Sequence, residues 1–274
     1  MYEQYWRFDR NPFAHNDSDF FFGSQTHQAA LLKLRYLVEN NKGAGLLIGD
    51  PGYGKTYLLE QLSRQLDERF SPFIHMVFPQ LNAAEFMSYL ASKLGAEDSQ
   101  IGDGESGLNR TIQAIEQRLL FLGEQGQHPV IVIDEAHVIE DVKVFQAIQL
   151  LLNYQRQPGI NFSVILAGQR ILLSRTSRIP QLDERLSVKS LLQPMSREDT
   201  VAYINGRMES VGSTEPIFDA AAMDELFELS GGVPRKINQI CDLALLVGYA
   251  DGLAGLSGNH VAMASEELTS VMPD

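Results

Sequence analysis

Short apolar runs alternate with longer amphipathic stretches over the first 194 residues of the chain. The apolar runs are typical of buried strands and lie at 45–48, 73–78, 130–133, 162–167 and 188–192. Apolar residues recur at helical spacing after Ser24, a good N-cap residue, and again at 56–66, 82–94, 108–122 and 142–154. This alternation predicts an α/β fold, in which helices pack on both faces of a parallel sheet.

The pattern changes after Pro194, where only helical spacing is found. Three stretches, 196–211, 219–229 and 235–249, predict a small all-helical domain. The aromatic residues of the first 23 positions predict an ordered arm, and the glycine- and acid-rich stretch 95–107 predicts an exposed loop. The expected organisation is an arm at 1–23, an α/β core at 24–194 and a helical domain at 195–274.

The composition is that of an ordinary globular protein, with 44% hydrophobic and 21% charged residues. The net charge of −13 disfavours non-specific binding to nucleic acid or anionic lipid, because it repels phosphate. No apolar stretch approaches the roughly 20 residues that span a bilayer, so we expect no direct membrane span and a cytoplasmic location. The single cysteine, Cys241, lies in an apolar helical stretch and is interpreted as a buried, inert thiol.

A glycine-rich loop follows the first predicted strand and matches the phosphate-binding pattern G-x-x-x-x-G-K-[ST] in full. Its residues are Gly49, Asp50, Pro51, Gly52, Tyr53, Gly54, Lys55 and Thr56, and Tyr57 continues into the next helix. Glycines let backbone N–H groups wrap phosphate oxygens, and the helix directs its positive end at the same anion. Lys55 is expected to reach the β- and γ-phosphates, and the Thr56 hydroxyl to bind Mg²⁺.

Two acidic residues end the third predicted strand. Four aliphatic residues at 130–133 lead into Asp134 and Glu135, which places both carboxylates where ligands bind in open α/β sheets. Asp134 is expected to hold Mg²⁺, and Glu135 to orient or deprotonate the attacking water. The alternative is a strand that ends in a solvated acidic turn. His137 is interpreted as structural, and we infer no helicase from the string Asp-Glu-Ala-His.

Beyond these two motifs, the chain resembles the AAA+ ATPases, and more closely their ExeA-type branch, the general secretion pathway protein A family. The resemblance covers nearly the whole chain and includes a Gly-x-Pro-Arg-x-Ile-Asn stretch in the helical domain. The similar segments lie at 5–8, 11–13, 22–27, 166–169, 197–207 and 230–238. Pro51 and Tyr53 depart from this branch, which commonly has valine and threonine in the loop.

This resemblance implies an AAA+ core with sheet order 5-1-4-3-2, followed by a helical lid. It also implies roles for further side chains. Gln169 takes the sensor position near the γ-phosphate, unless it only caps its loop. Arg235 is the lid arginine that senses the phosphates, unless its charge is simply solvated. Phe13 and Phe22 either help to form the adenine pocket or pack in the core.

The resemblance further implies an arginine that acts across the boundary between subunits. Arg185, just before the fifth predicted strand, is the candidate to face the γ-phosphate bound by a neighbouring subunit. Arg175 and Arg178 lie in the same region and are the rival candidates. The alternative is a structural role, in which Arg185 forms an ion pair with Asp183 or Glu184 on the surface.

The motifs and the resemblance together predict an oligomeric ATPase that uses ATP and Mg²⁺ and forms a ring or filament, a hexamer by family default. Hydrolysis of ATP is expected to drive assembly or remodelling of a secretion or envelope machine. A protein partner from that machine would bring this cytoplasmic ATPase to the inner membrane. The alternative is an ATP-dependent, DNA-associated regulator similar to transposition AAA+ proteins, which the net charge disfavours. Secretion-type members continue into a transmembrane helix and a peptidoglycan-binding domain, and we expect a soluble form without them.

Overall fold

The computed structural model describes residues 1–14, 20–77, 81–97, 101, 104–213 and 215–270. The chain divides into two compact units. The α/β unit comprises Gln25–Pro51 and Lys55–Leu192, and the helical unit comprises Met1–Ser24, Gly52–Gly54 and Gln193–Asp274. Four predicted segments fall partly outside the described residues. They are the arm at 1–23, the strand at 73–78, the loop at 95–107 and the helical domain at 195–274.

Strands and helices alternate in the α/β unit, as the sequence predicts. The α-helices are α1 (Glu3–Trp6), α2 (Gln25–Glu39), α3 (Lys55–Gln65), α4 (Ala83–Leu94), α5 (Gly104–Glu124), α6 (Val142–Asn153), α7 (Ile171–Ser177), α8 (Pro180–Asp183), α9 (Arg197–Glu209), α10 (Ala220–Ser230), α11 (Pro234–Ala250) and α12 (Gly258–Ser270). The strands are β1 (Ala44–Ile48), β2 (Phe73–Met76), β3 (Val130–Ile133), β4 (Ser163–Gly168) and β5 (Leu186–Leu191). Short 3₁₀ turns follow β3 at Ala136–Val138 and α6 at Tyr154–Arg156.

The strands of the α/β unit form one five-stranded parallel sheet in the order β2-β3-β4-β1-β5. Read from the opposite edge, this is the predicted order 5-1-4-3-2, and it confirms the predicted fold class. The order brings β1, β4 and β3 side by side, so their carboxyl-terminal ends are neighbours. The residues that follow these ends are Gly49, Gln169 and Asp134, so the topology gathers side chains that are far apart in sequence.

Burial along each strand follows its place in the sheet. Every residue of β1, β3 and β4 is buried, as expected for central strands of a sheet covered on both faces. β2 and β5 stand at the two edges of the sheet. In β2, Ile74 and Met76 are buried, whereas Phe73 and His75 are only partly buried. The side of β2 that carries His75 is therefore open to polar neighbours.

The boundaries of α4 and α5 show how local signals succeed and fail. α4 begins as predicted, because Asn82 and Glu85 form a reciprocal capping box at its first turn. α5 begins at Gly104, so the prediction of a start at Leu108, with an exposed loop up to residue 107, is wrong at this end. Glycine disfavours a helix interior by about 1 kcal/mol, but packing of α5 against α4 overrides this local preference.

The N-terminal segment contributes aromatic residues to the core of the helical unit. Trp6 and Phe13 are buried in this core, and Trp6 Nε1–H donates a hydrogen bond of 3.0 Å to the Leu245 carbonyl. Phe22 packs edge-on against Tyr203, with 5.7 Å between the ring centres. Of the two roles considered for Phe13, the structure shows packing in the core. Cys241 is buried in the same core, and burial raises the pKa of its thiol, as expected for an inert side chain.

The last described helix, α12, is absent from the predictions made on hydrophobic spacing. It packs against α10 and α11 and buries Val261 and Ala264. Two small apolar side chains give a weak periodic signal, so only the packed neighbours reveal this helix. Across all the helices that the structure describes, none is both long enough and apolar enough to cross a membrane.

The ring of His128, just before β3, is buried in its neutral form. It packs edge-on against Phe70 with 5.3 Å between the ring centres, and Nε2 lies 2.9 Å from Ser163 Oγ. Burial, together with the nearby charge of Arg69, lowers the pKa of His128 to about 4. In an unfolded chain, histidine has a pKa of about 6.5. Between these values the unfolded chain binds the proton more readily, so stability that is present above the unfolded pKa is lost as the pH falls.

We expect His128→Gln to remove this part of the pH dependence of stability. The glutamine amide can still bond Ser163 Oγ, but it does not titrate. From about pH 6.5 down to about pH 4, the wild type should lose about 3 kcal/mol more free energy of unfolding than the variant. Urea unfolding of both proteins at neutral and acid pH measures the difference, and equal losses in both would contradict this account.

Candidate nucleotide-binding site

The glycine-rich loop lies between the end of β1 and the start of α3, in the strand–loop–helix context that the motif requires. The Gly49 N–H donates a hydrogen bond of 3.1 Å to the Gly168 carbonyl, which joins the loop to the end of β4. Gly52 and Gly54 have φ angles of +82° and +80°, a backbone region that favours glycine. The two glycines thus permit the turn that exposes backbone N–H groups to an anion.

Lys55 is buried at the first position of α3, with 5% of its side chain exposed. Its Nζ donates to the carbonyl of Gly49 at 2.9 Å and to that of Asp50 at 3.4 Å, and it lies 3.9 Å from Glu135 Oε1. A buried ammonium whose partners are mainly neutral carbonyls gains by exchanging them for phosphate oxygens. The position of Lys55 therefore suits the binding of a phosphate group on this loop.

Asp134, at the end of β3, is the most deeply buried carboxylate of the site, with 1% of its side chain exposed. Its Oδ2 accepts a hydrogen bond of 2.7 Å from Thr56 Oγ1 and lies 3.3 Å from His75 Nε2, while Oδ1 accepts from the Glu135 N–H at 2.8 Å. Burial alone would raise the pKa of Asp134, but these hydrogen bonds hold it below its ordinary value. Asp134 is therefore a carboxylate anion at neutral pH.

His75 is a member of this cluster that the sequence analysis did not identify. It reaches Asp134 because β2 pairs in parallel with β3 and places His75 beside Val132, two residues before the acid. The available signal was a single polar residue in the apolar run of β2. That signal does not show which carboxylate the ring meets, since this depends on the register of the two strands.

Glu135 has an unusual backbone conformation, with φ at +51° and ψ at +30°. This left-handed region costs a residue other than glycine about 1 kcal/mol or more, and such conformations cluster at functional sites. The side chain is partly exposed, with Oε1 towards Lys55 and Oε2 at 3.1 Å from His137 Nδ1. The strained turn thus carries the second carboxylate away from β3 and next to the loop lysine.

The remaining predicted residues of the α/β unit lie around this cluster. Gln169 is half-buried at the end of β4, and its backbone carbonyl accepts a hydrogen bond of 2.9 Å from the Leu172 N–H. Asp50 Oδ2 lies 3.3 Å from Arg170 Nε, an ion pair between the loop and the residue after Gln169. Pro51 is exposed, and Tyr57 is half-buried in the first turn of α3.

Arg235 belongs to the helical unit, as do the loop residues 52–54. Pro234 occupies the first turn of α11, and the following N–H, that of Arg235, donates a hydrogen bond of 3.3 Å to the Gly52 carbonyl. A Cβ atom on Gly52 would lie only 3.0 Å from Arg235 Cβ, so glycine allows this close approach. Tyr53, the next loop residue, is half-buried. Within the helical unit, Arg235 therefore lies against Gly52.

Arg185 does not pair with either of its acidic neighbours in the chain. Its Nη2 donates a hydrogen bond of 3.0 Å to Asn153 Oδ1, while Asp183 pairs with Lys189 at 2.5 Å. The alternative, a surface ion pair of Arg185 with Asp183 or Glu184, is therefore not the observed arrangement. Of the rival arginines, Arg175 donates a hydrogen bond to the Ile139 carbonyl, and Arg178 is exposed at the end of α7.

The residues of the cluster fit ATP and Mg²⁺ by their chemistry. A hydroxyl group, that of Thr56, and an ionised carboxylate, that of Asp134, are the hard oxygen donors that Mg²⁺ prefers, and they lie in contact. The glycine loop and Lys55 supply N–H groups and a positive charge for phosphates. A loop of this kind after β1, two acids after β3 and this sheet order define a P-loop nucleotide-binding protein of the AAA+ class.

The chain belongs to the AAA domain family, whose sequence profile matches residues 38–176. It is also similar to General secretion pathway protein A of Aeromonas hydrophila, with 29% identity over 275 residues. The match covers 99% of this chain and 49% of the relative, so the chain spans about half the length of that protein. These two findings confirm the resemblance to AAA+ proteins of the ExeA type.

Solved structures of other AAA+ proteins share the fold. Cdc6p from Pyrobaculum aerophilum has a TM-score of 0.74 and 14% identity, covering 96% of this chain and 74% of that one. The ORC2 protein of Aeropyrum pernix has a TM-score of 0.70 and 15% identity, covering 97% and 73%. The RuvB branch migration motor of Thermotoga maritima has a TM-score of 0.57 and 18% identity, covering 90% and 70%. At these identities the likeness shows the fold alone.

Proposed function

We propose that this protein is an ATPase, which binds ATP with Mg²⁺ and hydrolyses it to ADP and phosphate. The observation that carries the proposal is the hydrogen bond of 2.7 Å between Thr56 Oγ1 and Asp134 Oδ2. It joins the end of the phosphate-binding motif to the acid of β3, residues that are 78 positions apart in the chain. Membership of the AAA domain family supports nucleotide hydrolysis in general, the complete motif supports a nucleoside triphosphate as the ligand, and the resemblance to AAA+ ATPases supports ATP.

Each residue of the cluster has a role that follows from its position. The loop N–H groups and Lys55 bind the phosphates, and Thr56 and Asp134 hold the Mg²⁺. When bound, the ion neutralises charge on the phosphate oxygens. Glu135 orients or deprotonates the attacking water. Its carboxylate is suited to this role because it is partly exposed and lies beside the loop lysine. Gln169, at the end of the neighbouring strand β4, is the proposed sensor of the γ-phosphate.

We infer further that the ATPase works as an oligomer in a secretion or envelope system, with a protein of that system as its partner. The similarity to General secretion pathway protein A along 99% of this chain supports this role. Arg235 and Arg185 are then the proposed lid arginine and the arginine in trans. The DNA-associated alternative is not favoured, because the matching relative is a secretion protein and the net charge of −13 repels nucleic acid.

We expect Glu135→Gln to bind ATP normally and to hydrolyse it about 10²- to 10⁴-fold more slowly, the range that a positioned general base contributes. The amide keeps the shape of the side chain but cannot accept the proton from water. Phosphate release from ATP, with GTP for comparison, measures hydrolysis, and a fluorescent ATP analogue measures binding.

The matched control for this experiment is Glu140→Gln. Glu140 is an exposed acid five positions further along the chain, so its substitution changes the net charge equally without touching the cluster. We expect it to retain full hydrolysis. Normal turnover in Glu135→Gln would exclude Glu135 from the reaction, and absence of ATP hydrolysis in the wild type would reject the proposed function itself.

A further inference from the structure

The carboxylate of Glu135 has a second neighbour besides Lys55. His137 Nδ1 lies 3.1 Å from Glu135 Oε2, which is nearer than Lys55 Nζ, at 3.9 Å from Oε1. A carboxylate oxygen only accepts hydrogen bonds, so a favourable contact requires a proton on Nδ1 of the ring. The pair is therefore a donor and an acceptor at hydrogen-bond distance beside the phosphate-binding motif.

The position of His137 is fixed by its surroundings. It lies in the 3₁₀ turn that packs beside the end of β4, and its side chain is only 12% exposed. A Cβ atom on Gly168 would lie 3.1 Å from His137 N and 3.2 Å from its Cβ, so the absence of a side chain at Gly168 admits the turn. His137 is thus held in place by the end of the sheet, whereas the Glu135 side chain is partly exposed.

The Nδ1 atom of His137 is also buried without a satisfied hydrogen bond. Although Glu135 Oε2 is close, the contact does not have hydrogen-bond geometry, and Nδ1 has no other partner in the described part of the chain. Buried polar atoms are rarely left in this condition. Glu135 Oε2, at 3.1 Å, is already within hydrogen-bond distance of Nδ1, which makes this carboxylate the natural acceptor for a proton on Nδ1.

Lys55 is not suited to hold Glu135 during the reaction. Its Nζ donates to the carbonyls of Gly49 and Asp50, and in the proposed function it turns to the phosphates. A lysine whose N–H donors turn to phosphate has fewer of its three donors left for the carboxylate beside it. Of the two side chains that lie beside the Glu135 carboxylate in the described part of the chain, His137 is then the one that remains available.

We propose that His137 is a positioning residue, which donates Nδ1–H to Glu135 and orients its carboxylate towards the attacking water. The inference rests on the proposed function, because it assigns a task to His137 only through Glu135. It replaces the interpretation of His137 as a structural residue. A histidine that served packing alone would affect folding and nucleotide binding, whereas a positioning residue affects the rate of hydrolysis.

Three variants separate these cases. Asparagine places an amide N–H at the position of Nδ1, glutamine places one at the position of Nε2, and alanine places none. We expect His137→Ala to lower kcat about tenfold, part of the contribution of a general base, with KM and ATP affinity unchanged. His137→Asn should restore most of the rate, and His137→Gln should not. Thermal unfolding of all three shows whether they remain folded.

The double variant Glu135→Gln/His137→Ala links the effect to the carboxylate. If His137 acts through Glu135, its removal should cause no further loss of kcat once Glu135 is changed. A further tenfold loss in that background, a normal rate in His137→Ala, or equal rates in His137→Asn and His137→Gln would each overturn the proposal. Full turnover in Glu135→Gln alone would instead reject the proposed role of Glu135, whatever the His137 variants show.

Discussion

We expect Lys55→Ala to abolish ATP binding at micromolar concentrations and, with it, all hydrolysis. Lys55 brings a buried positive charge to the loop, and hydrogen bonds to charged groups contribute about 1.5 to 3 kcal/mol each. Loss of two such bonds to the β- and γ-phosphates corresponds to about 10²- to 10⁴-fold weaker binding. Titration with a fluorescent ATP analogue measures this directly.

The substitution removes a buried donor from the backbone carbonyls of Gly49 and Asp50, so thermal unfolding of the variant is measured beside its ATP affinity. Lys33→Ala is the matched control, since Lys33 is exposed on α2 and its removal changes the net charge by the same amount. Equal ATP affinity in the Lys55 variant and the control would show that the loop does not bind the phosphates as proposed.

The second large effect is expected from Arg185→Ala, which should lower hydrolysis about 10³- to 10⁵-fold if the guanidinium acts on the neighbouring subunit's nucleotide. The hydrogen bond of Arg185 to Asn153 holds its side chain in place just before β5, while Arg175 is engaged with the Ile139 carbonyl. ATP binding by Arg185→Ala should be retained, because its own phosphate loop is intact.

A mixing experiment tests the action in trans. Arg185→Ala and Lys55→Ala proteins should each be inactive alone and should recover part of the activity when co-assembled. Some interfaces then combine an intact loop from one subunit with an intact arginine from the other. Light scattering with a non-hydrolysable ATP analogue establishes that the subunits assemble. Absence of recovery in assembled mixtures, or recovery only when Arg178→Ala takes the place of Arg185→Ala, would contradict the assignment of Arg185.

The sheet and the loop could be predicted because their signals are local. An apolar run that ends in a glycine-rich turn specifies a strand and its loop without further context, and the same holds for the run before Asp134. The parallel order then brings Thr56 and Asp134 to one edge of the sheet. Their contact follows from topology alone, although no spacing in the chain reveals it.

The contacts of single side chains could not be predicted in this way. His75 meets Asp134 only because of the register between β2 and β3, and His137 meets Glu135 only because the turn has a left-handed residue. Arg185 bonds Asn153 rather than an adjacent acid, since a turn directs neighbouring side chains to different sides. Such contacts depend on backbone angles and strand offsets, which composition and periodicity do not encode.

The edge strands of the sheet also bear on how copies of the protein can meet one another. An exposed edge can add a strand from another molecule, and this is a common route to aggregation. β2 is only four residues long, and β5 carries the charged Lys189, ion-paired with Asp183, in its middle. Short length and charge are both obstacles to strand addition. When copies of this protein associate, we therefore expect contacts between side chains and no strand pairing at β2 or β5.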